Sequence, residues 1–254
     1  MDFASPRVMG IVNATPDSFF GGSRTTTKET IRLRVEKMLA EGADIIDVGG
    51  CSTRPYSTPA SEEEETERVA MALETICENF PDVVLSVDTF RAKVAAMAVD
   101  TFGADIINDV SGGSDPDMFA TTCDRDVPYI LTSTAPTLEL ILTEFAEKLR
   151  RLYDMGQKDV ILDPGFGFGK ALEDNFKLLA KTEQLLTLGL PVLAGISRKR
   201  MTFQPLDTTP DNALNATTVL NTILLGKGVH LLRVHDVAPA VEAVKLYNFL
   251  KQQS

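Results

Sequence analysis

Eight short apolar runs, each closing on a polar or small residue, constrain this chain more than any other feature. They are Val8–Val12 ending in Asn13, Asp44–Val48 ending in Gly49-Gly50, Val83–Val87 ending in Asp88, and Asp105–Ile107 ending in Asn108-Asp109. Four more are Tyr129–Leu131 before Thr132-Ser133, Val160–Leu162 before Asp163, Pro191–Gly195 before Ser197-Arg198-Lys199, and His230–Val234 before His235-Asp236. Near-continuous apolar strands of this length belong in parallel sheets covered on both faces.

Helical patterns fill the gaps. Ile31, Val35, Met38 and Leu39 share one helix face behind a Thr26-to-Glu29 capping box, and Ser61 with Glu64 repeats that box before Val69, Leu73 and Ile76. Leu138, Ile141, Leu142, Phe145, Leu149 and Leu152 form the clearest stripe, and Thr209-Pro210 reads as an N-cap followed by Pro at the first helical position. Further helices are expected from about Arg91, Asp115, Glu173 and Ala238. Strand and helix thus alternate through 254 residues, close to the ~250 of a (β/α)8 TIM barrel. The expectation is one such domain over residues 1–254, with an open doubly wound sheet as the alternative.

A barrel has a functional consequence. Its ligand site lies at the C-terminal ends of the strands. Asn13, Asp88, Asn108, Asp163, Lys199, Arg233 and His235 would share that rim. The segment Asp163-Pro164-Gly165-Phe166-Gly167-Phe168-Gly169-Lys170 stands out, because glycines at alternate positions allow tight turns and close approach to a flat ligand. Its Gly-Lys pair is not a P-loop: Pro164 stands where that pattern needs glycine, and Ala171 where it needs Ser or Thr. Taken singly, these residues have plainer roles. Asp88 and Asp163 could cap the following helices, Asn13 and Asn108 could satisfy turns, and Arg198-Lys199 could be a solvated pair. His230 begins its strand and is expected to be structural, whereas His235 follows its strand at the active face.

Composition narrows the classes. Hydrophobic residues are 44 % and charged residues 24 % of the chain, so a sizeable core is expected. No run is long enough to span a membrane, and the start of the chain lacks a signal-peptide pattern. Cys51, Cys77 and Cys123 suit reduced, buried thiols in a cytoplasm. A net charge of −11 argues against nucleic acid as a partner and means that any anionic substrate needs a local basic cluster. The run Glu62-Glu63-Glu64-Glu65 reads as the solvated first turn of a helix.

Seven ordered motifs then resemble one family. Ile11-Val12-Asn13-Ala14-Thr15-Pro16-Asp17-Ser18-Phe19 looks like the first signature of the dihydropteroate synthases. Asp47-Val48-Gly49-Gly50 with Ser52-Thr53-Arg54-Pro55 resembles the second loop. Ser86-Val87-Asp88-Thr89, Ile107-Asn108-Asp109, Asp163–Lys170, Ser197-Arg198-Lys199 and Arg233-Val234-His235-Asp236 match the remainder in order.

The resemblance implies condensation of 6-hydroxymethyl-7,8-dihydropterin pyrophosphate with 4-aminobenzoate, giving 7,8-dihydropteroate and pyrophosphate. It implies catalytic roles for Asp88, Asp163, Lys199 and Arg54, substrate contacts by Thr53, Asn108, Phe168, Arg200, Arg233 and His235, magnesium held at Asn13, and a homodimer by family analogy. The chemistry of the residue types agrees. Carboxylates suit the donor edge of a reduced pterin, Asn108 can donate and accept, and Arg233 offers a planar fork to phosphate oxygens. The chain departs from the family in having Thr132-Ser133 in place of Met-His, Cys51 in place of Glu, and Tyr56 in place of Gly. Two other functions fit parts of the pattern. One is a related pterin-binding methyltransferase domain, which has no need of Arg54, Arg233 and His235 as pyrophosphate ligands. The other is a non-catalytic homologue.

Overall fold

The computed structural model describes residues 3–15, 24–51 and 60–253. The strands are β1 (Arg7–Asn13), β2 (Ile45–Gly49), β3 (Leu85–Asp88), β4 (Ile106–Asp109), β5 (Tyr129–Thr132), β6 (Val160–Asp163), β7 (Leu193–Ala194) and β8 (Leu231–Val234). They are parallel and ordered β6-β5-β4-β3-β2-β1-β8-β7. A parallel bridge between Leu162 and Val192 joins the two ends, and the Leu162 N–H donates to the Pro191 carbonyl at 2.9 Å. The sheet therefore closes into a (β/α)8 TIM barrel, and the open doubly wound alternative is excluded.

Helices α1 (Arg24–Glu41), α2 (Glu62–Asn79), α3 (Ala92–Phe102), α4 (Met118–Asp124), α5 (Leu138–Asp154) and α6 (Leu172–Ala180) follow the first six strands. A short α7 (Arg200–Phe203) precedes α8 (Leu214–Gly226), and α9 (Val237–Lys251) follows β8. The expected stripes face inward: Ile31, Val35 and Met38 of α1, Val69, Leu73 and Ile76 of α2, and Ile141, Phe145 and Leu152 of α5 are buried. Ser61 caps α2 with the reciprocal Glu64 box. Among the described residues no helix is long and apolar enough to cross a membrane.

Four local expectations are corrected. Helix α1 is already running at Arg24, so Thr26 lies inside it and is not its N-cap. A two-residue capping pattern can recur within a helix, and the apolar stripe does not mark the first turn. Thr209-Pro210 opens a 3₁₀ turn over Pro210–Asn212, and α8 begins only at Leu214. Proline's fixed φ serves the first position of either helix type. The acidic run is not wholly solvated: Glu65 is fully buried. It falls on the Val69–Ile76 face, accepts from the Thr89 hydroxyl at 2.6 Å and pairs with Arg91. The Arg91 Nη2 in turn donates to the Ala60 carbonyl at 2.6 Å. The cysteines are free but only half-buried.

Period-two alternation sorts every strand. Val8, Val12, Ile46, Val48, Leu85, Val87, Ile107, Leu131, Leu162, Leu232 and Val234 face the helices in one continuous core. Asp109 points the same way. It accepts from the Tyr129 hydroxyl at 2.7 Å, from the Ser111 N–H and hydroxyl at 2.8 and 2.6 Å, and from the Gly113 N–H at 2.8 Å. It is a structural carboxylate, although it sits beside Asn108. Asp109→Ala should cost about 3 kcal/mol, because several buried donors lose one acceptor. Denaturant unfolding that shows a loss under about 1 kcal/mol would contradict this assignment.

Candidate active site

The inner face of the barrel changes character in one step. Near the N-terminal ends it is packed by Met9, Ile45, Ile106, Ile130, Ile161, Leu193 and Leu231, with Phe3 and Val84 against them. Two residues further along each strand the same face carries Ile11, Asp47, Ser86, Asn108, Thr132, Asp163, Gly195 and Arg233. Asn13 and Asp88 follow at the lip. A dry aliphatic floor thus lies beneath a polar mouth.

Arg233 organises that mouth. Its Nε donates to Asp47 Oδ2 at 2.6 Å and its Nη2 to Asp88 Oδ2 at 2.5 Å. Asp47 Oδ1 accepts from the Ser86 hydroxyl at 2.6 Å, and Oδ2 also accepts from Asn108 Nδ2 at 3.2 Å. Asn108 Oδ1 is buried and has no hydrogen-bond partner, and neither has the buried Thr132 Oγ1. Burial pushes the Asp88 carboxyl up to about 7 against the pull of Arg233, with Asp47 adding to the rise. Burial likewise raises Asp163, while Lys199 opposes the shift. Neither Asp88 nor Asp163 caps a helix. The first N–H of α3 goes to Asp115 Oδ2 at 2.8 Å, and α6 starts without a side-chain cap.

The glycine-rich loop folds over this pocket. Asp163 Oδ1 accepts from the Gly165 N–H at 2.8 Å. Gly165 has φ +68°, and a Cβ there would stand 2.1 Å from the Ser133 carbonyl oxygen, so only glycine fits. Lys199 Nζ donates to the Phe166 carbonyl at 2.6 Å and lies 4.1 Å over the Phe168 ring. Burial depresses its ammonium to about 8. Lys170 Nζ donates to the carbonyls of Gly165 at 3.0 Å and Ser133 at 3.2 Å, tying the loop to the end of β5.

A basic cluster stands beside β8. The Ser197 hydroxyl accepts from the His235 N–H at 3.1 Å and lies 3.1 Å from His235 Nδ1. Burial, with Arg233 and Arg34 nearby, lowers the imidazole to about 4. Arg198 holds Asp236 through two bonds of 2.8 and 2.9 Å, and Arg34 donates to the Ile11 carbonyl at 3.1 Å. His230 stays at the opposite end, accepting from the Val192 N–H at 3.1 Å and packing edge-on to Phe3.

Asn13, Asp88, Asn108, Asp163, Phe168, Lys199, Arg233 and His235 are therefore gathered at the strands' C-terminal ends. Arg200 is exposed at the start of α7. Thr53 and Arg54 lie outside the described residues, as does most of the loop after Thr15. Sequence reasoning missed Asp47, Ser86, Arg34 and Lys170 as contributors. Asp47 had a readable signal, since it is an acid at an inward position of an otherwise apolar strand.

The family model described as pterin binding enzyme matches residues 9–235. A dihydropteroate synthase of Streptococcus pyogenes serotype M3 is 39% identical over 241 residues, covering 91% of this chain and 90% of that protein. A Clostridium difficile dihydropteroate synthase crystallised in the presence of pteroic acid superposes with a TM-score of 0.93 at 31% identity, covering 97% of both chains. The Xanthomonas albilineans enzyme with 4-aminobenzoic acid gives 0.91 at 37% identity, covering 99% of this chain and 95% of that one.

The partly buried imidazole of His235 makes stability depend on pH. His235 protonates more readily in the unfolded chain, near its ordinary value of 6.5, than in the fold, near 4. Its contribution is therefore fully present above about 6.5 and is lost as the pH falls towards 4. His235→Asn should flatten the fall of unfolding free energy over that window. An identical pH profile in parent and variant would mean that the ring is not the group responsible.

Proposed function

The chain belongs to the pterin binding enzymes and, among them, to the dihydropteroate synthases, which are transferases; on that premise we propose how its mouth divides the work. The substrates are dihydropterin pyrophosphate and 4-aminobenzoate. The observation that carries the reading is Asn108 and Asp163, both buried, beside the partly buried Asp88, with unpaired acceptor capacity on Asn108 and the cations Lys199 and Arg233 close by. Carboxylates accept from the amine and ring N–H groups of a reduced pterin, and Lys199 donates to a ring acceptor. Phe168 offers its face to the arriving aryl ring.

In the reaction, the bond from the exocyclic methylene carbon to the pyrophosphate oxygen breaks, and its electron pair leaves with pyrophosphate. Positive charge spreads from that carbon into the pterin ring, where the Asp88 and Asp163 side of the pocket stabilises it. The arylamine lone pair then forms the new C–N bond, and its proton is lost to solvent or to the leaving group. Arg233, His235 and Arg54 are assigned to the phosphates, with Thr53 and Arg200 near the carboxylate of 4-aminobenzoate. If the Ser197 hydroxyl donates to Nδ1, neutral His235 keeps an N–H at Nε2 for a phosphate oxygen.

Magnesium fits the same reading. An ion carried by the substrate phosphates would be met by the Asn13 side-chain oxygen, which suits magnesium's preference for oxygen ligands and retained waters. The chemistry it supplies there is neutralisation of charge on the leaving pyrophosphate. We place the enzyme in the cytoplasm, in keeping with three free cysteines. A second copy of the chain is the proposed partner, supported by exposed Val219 and Ile223 on α8 and Leu246 and Phe249 on α9. The net charge of −11 supports small anions held locally over nucleic acid.

Purified protein given both substrates and magnesium should form dihydropteroate and pyrophosphate in equal amounts, with no methyl transfer from methyltetrahydrofolate. No turnover despite tight pterin binding would instead favour the non-catalytic reading. Asp88→Asn and Asp163→Asn should each weaken pterin binding about tenfold or more, since a donor amide would then face ring donors. Calorimetry showing parental affinity in both variants would remove these residues from the pterin site.

A further inference from the structure

Two polar atoms inside the barrel are buried without a partner, Asn108 Oδ1 and Thr132 Oγ1. Asn108 already has a function in the reading above. Thr132 does not, and the geometry around it is restrictive. It is 1 % exposed and closes β5, where Ile130 faces the inner floor while Tyr129 and Leu131 face the helices. Alternation therefore sends the Thr132 side chain into the mouth. Its Cα partner across the ladder is Asp163. Ser133, next along the chain and pointing the other way, gives its hydroxyl to Glu144 on α5. The hydroxyl on the helix side is thus satisfied internally, and the one on the mouth side is not.

The backbone offers no release. The carbonyl of Thr132 is covered by Gly112, where a Cβ would stand 2.3 Å from it. The Ser133 N–H is held by the Asp163 carbonyl at 2.9 Å. The end of β5 is pinned from both sides, so the hydroxyl keeps its aim. A buried hydroxyl with no bond costs the free protein stability, so a threonine here is explained by what it gains when the pocket is filled. Two other unpaired atoms, Gln157 Oε1 and Asn221 Oδ1, belong to a loop before β6 and to α8, away from the inner face.

We infer that the Thr132 hydroxyl is a specificity-determining contact for the pterin ring, hydrogen-bonding the ring edge between Asn108 and Asp163. This rests on the pterin-site reading above. A hydroxyl can donate to a ring acceptor or accept from a ring N–H, and its neighbours are an amide oxygen and a carboxylate that only accept. Between Asn108 and Asp163, Thr132 therefore supplies a rotatable donor that no described residue already occupies.

The test compares Thr132→Val, which keeps the shape and removes the hydroxyl, with Thr132→Ser, which keeps the hydroxyl. Pterin affinity is measured by calorimetry, unfolding by denaturant, and KM for each substrate by steady-state assay. The valine variant should bind pterin about fivefold to tenfold more weakly and raise KM for dihydropterin pyrophosphate, while KM for 4-aminobenzoate stays at the parental value. Its stability should equal or exceed that of the parent, because an unpaired polar atom is gone. The serine variant should bind within about twofold of the parent if the hydroxyl is the contact. Parental pterin affinity in Thr132→Val would overturn the inference. So would equal losses in both variants, which would point to the methyl group, or a loss of stability in Thr132→Val without a change in affinity. A parent protein that binds no pterin at all would instead remove the functional reading beneath it.

Discussion

One guanidinium shared by two carboxylates holds the mouth of this barrel together. Asp47 and Asp88 approach across the top of the aliphatic floor, and Arg233 bridges them from β8. Removing the arginine would leave two acids facing each other in a desolvated space, a situation that costs several kcal/mol. The bridge also orients what lies behind it. With one Asp47 oxygen committed to Arg233 and to the Asn108 Nδ2, the amide of Asn108 has a single sensible orientation, and its oxygen is turned towards the pocket. Ser86 completes the arrangement from the other Asp47 oxygen. A lysine in place of Arg233 could not hold both acids in one plane.

The electrostatics of the site run against those of the whole chain. The protein carries a net charge of −11, yet Arg34, Lys170, Arg198, Lys199 and Arg233 converge on one face. Burial, with neighbouring cations adding to it, depresses Lys199 and His235, while Asp88 and Asp163 rise. Opposed shifts of this kind cluster at functional sites.

Much of this was legible in the residue pattern, for reasons that can be named. Parallel strands buried on both faces leave continuous apolar runs, so all eight appeared, and the first polar residue after each run marked the rim. Closure was expected from the chain length and the eightfold alternation alone, and the Leu162–Val192 bridge that completes it is not encoded in any strand's periodicity. Asp109 and Asn108 are neighbours with similar polarity, and only the alternation of faces assigns one to the core and the other to the mouth. The buried Glu65–Arg91 pair was hidden inside an acidic run that looked solvent-exposed throughout. Thr132 read only as a departure from the family's Met-His, because an unpaired hydroxyl becomes visible only when every neighbouring partner has been counted.

The dry floor has a consequence for traffic. Among the described residues, Met9, Ile45, Ile106, Ile130, Ile161, Leu193 and Leu231 fill the bottom of the barrel with apolar side chains, so the polar mouth is the side that faces arriving substrates. On the proposed assignment the heterocycle takes the deepest position, and a second substrate seated above it would block its way in. Such a chamber loads in sequence and empties in the reverse order. A molecule that settles early at the shallow position behaves as a stopper, which makes the relative supply of the two substrates, and not only their affinities, a determinant of throughput.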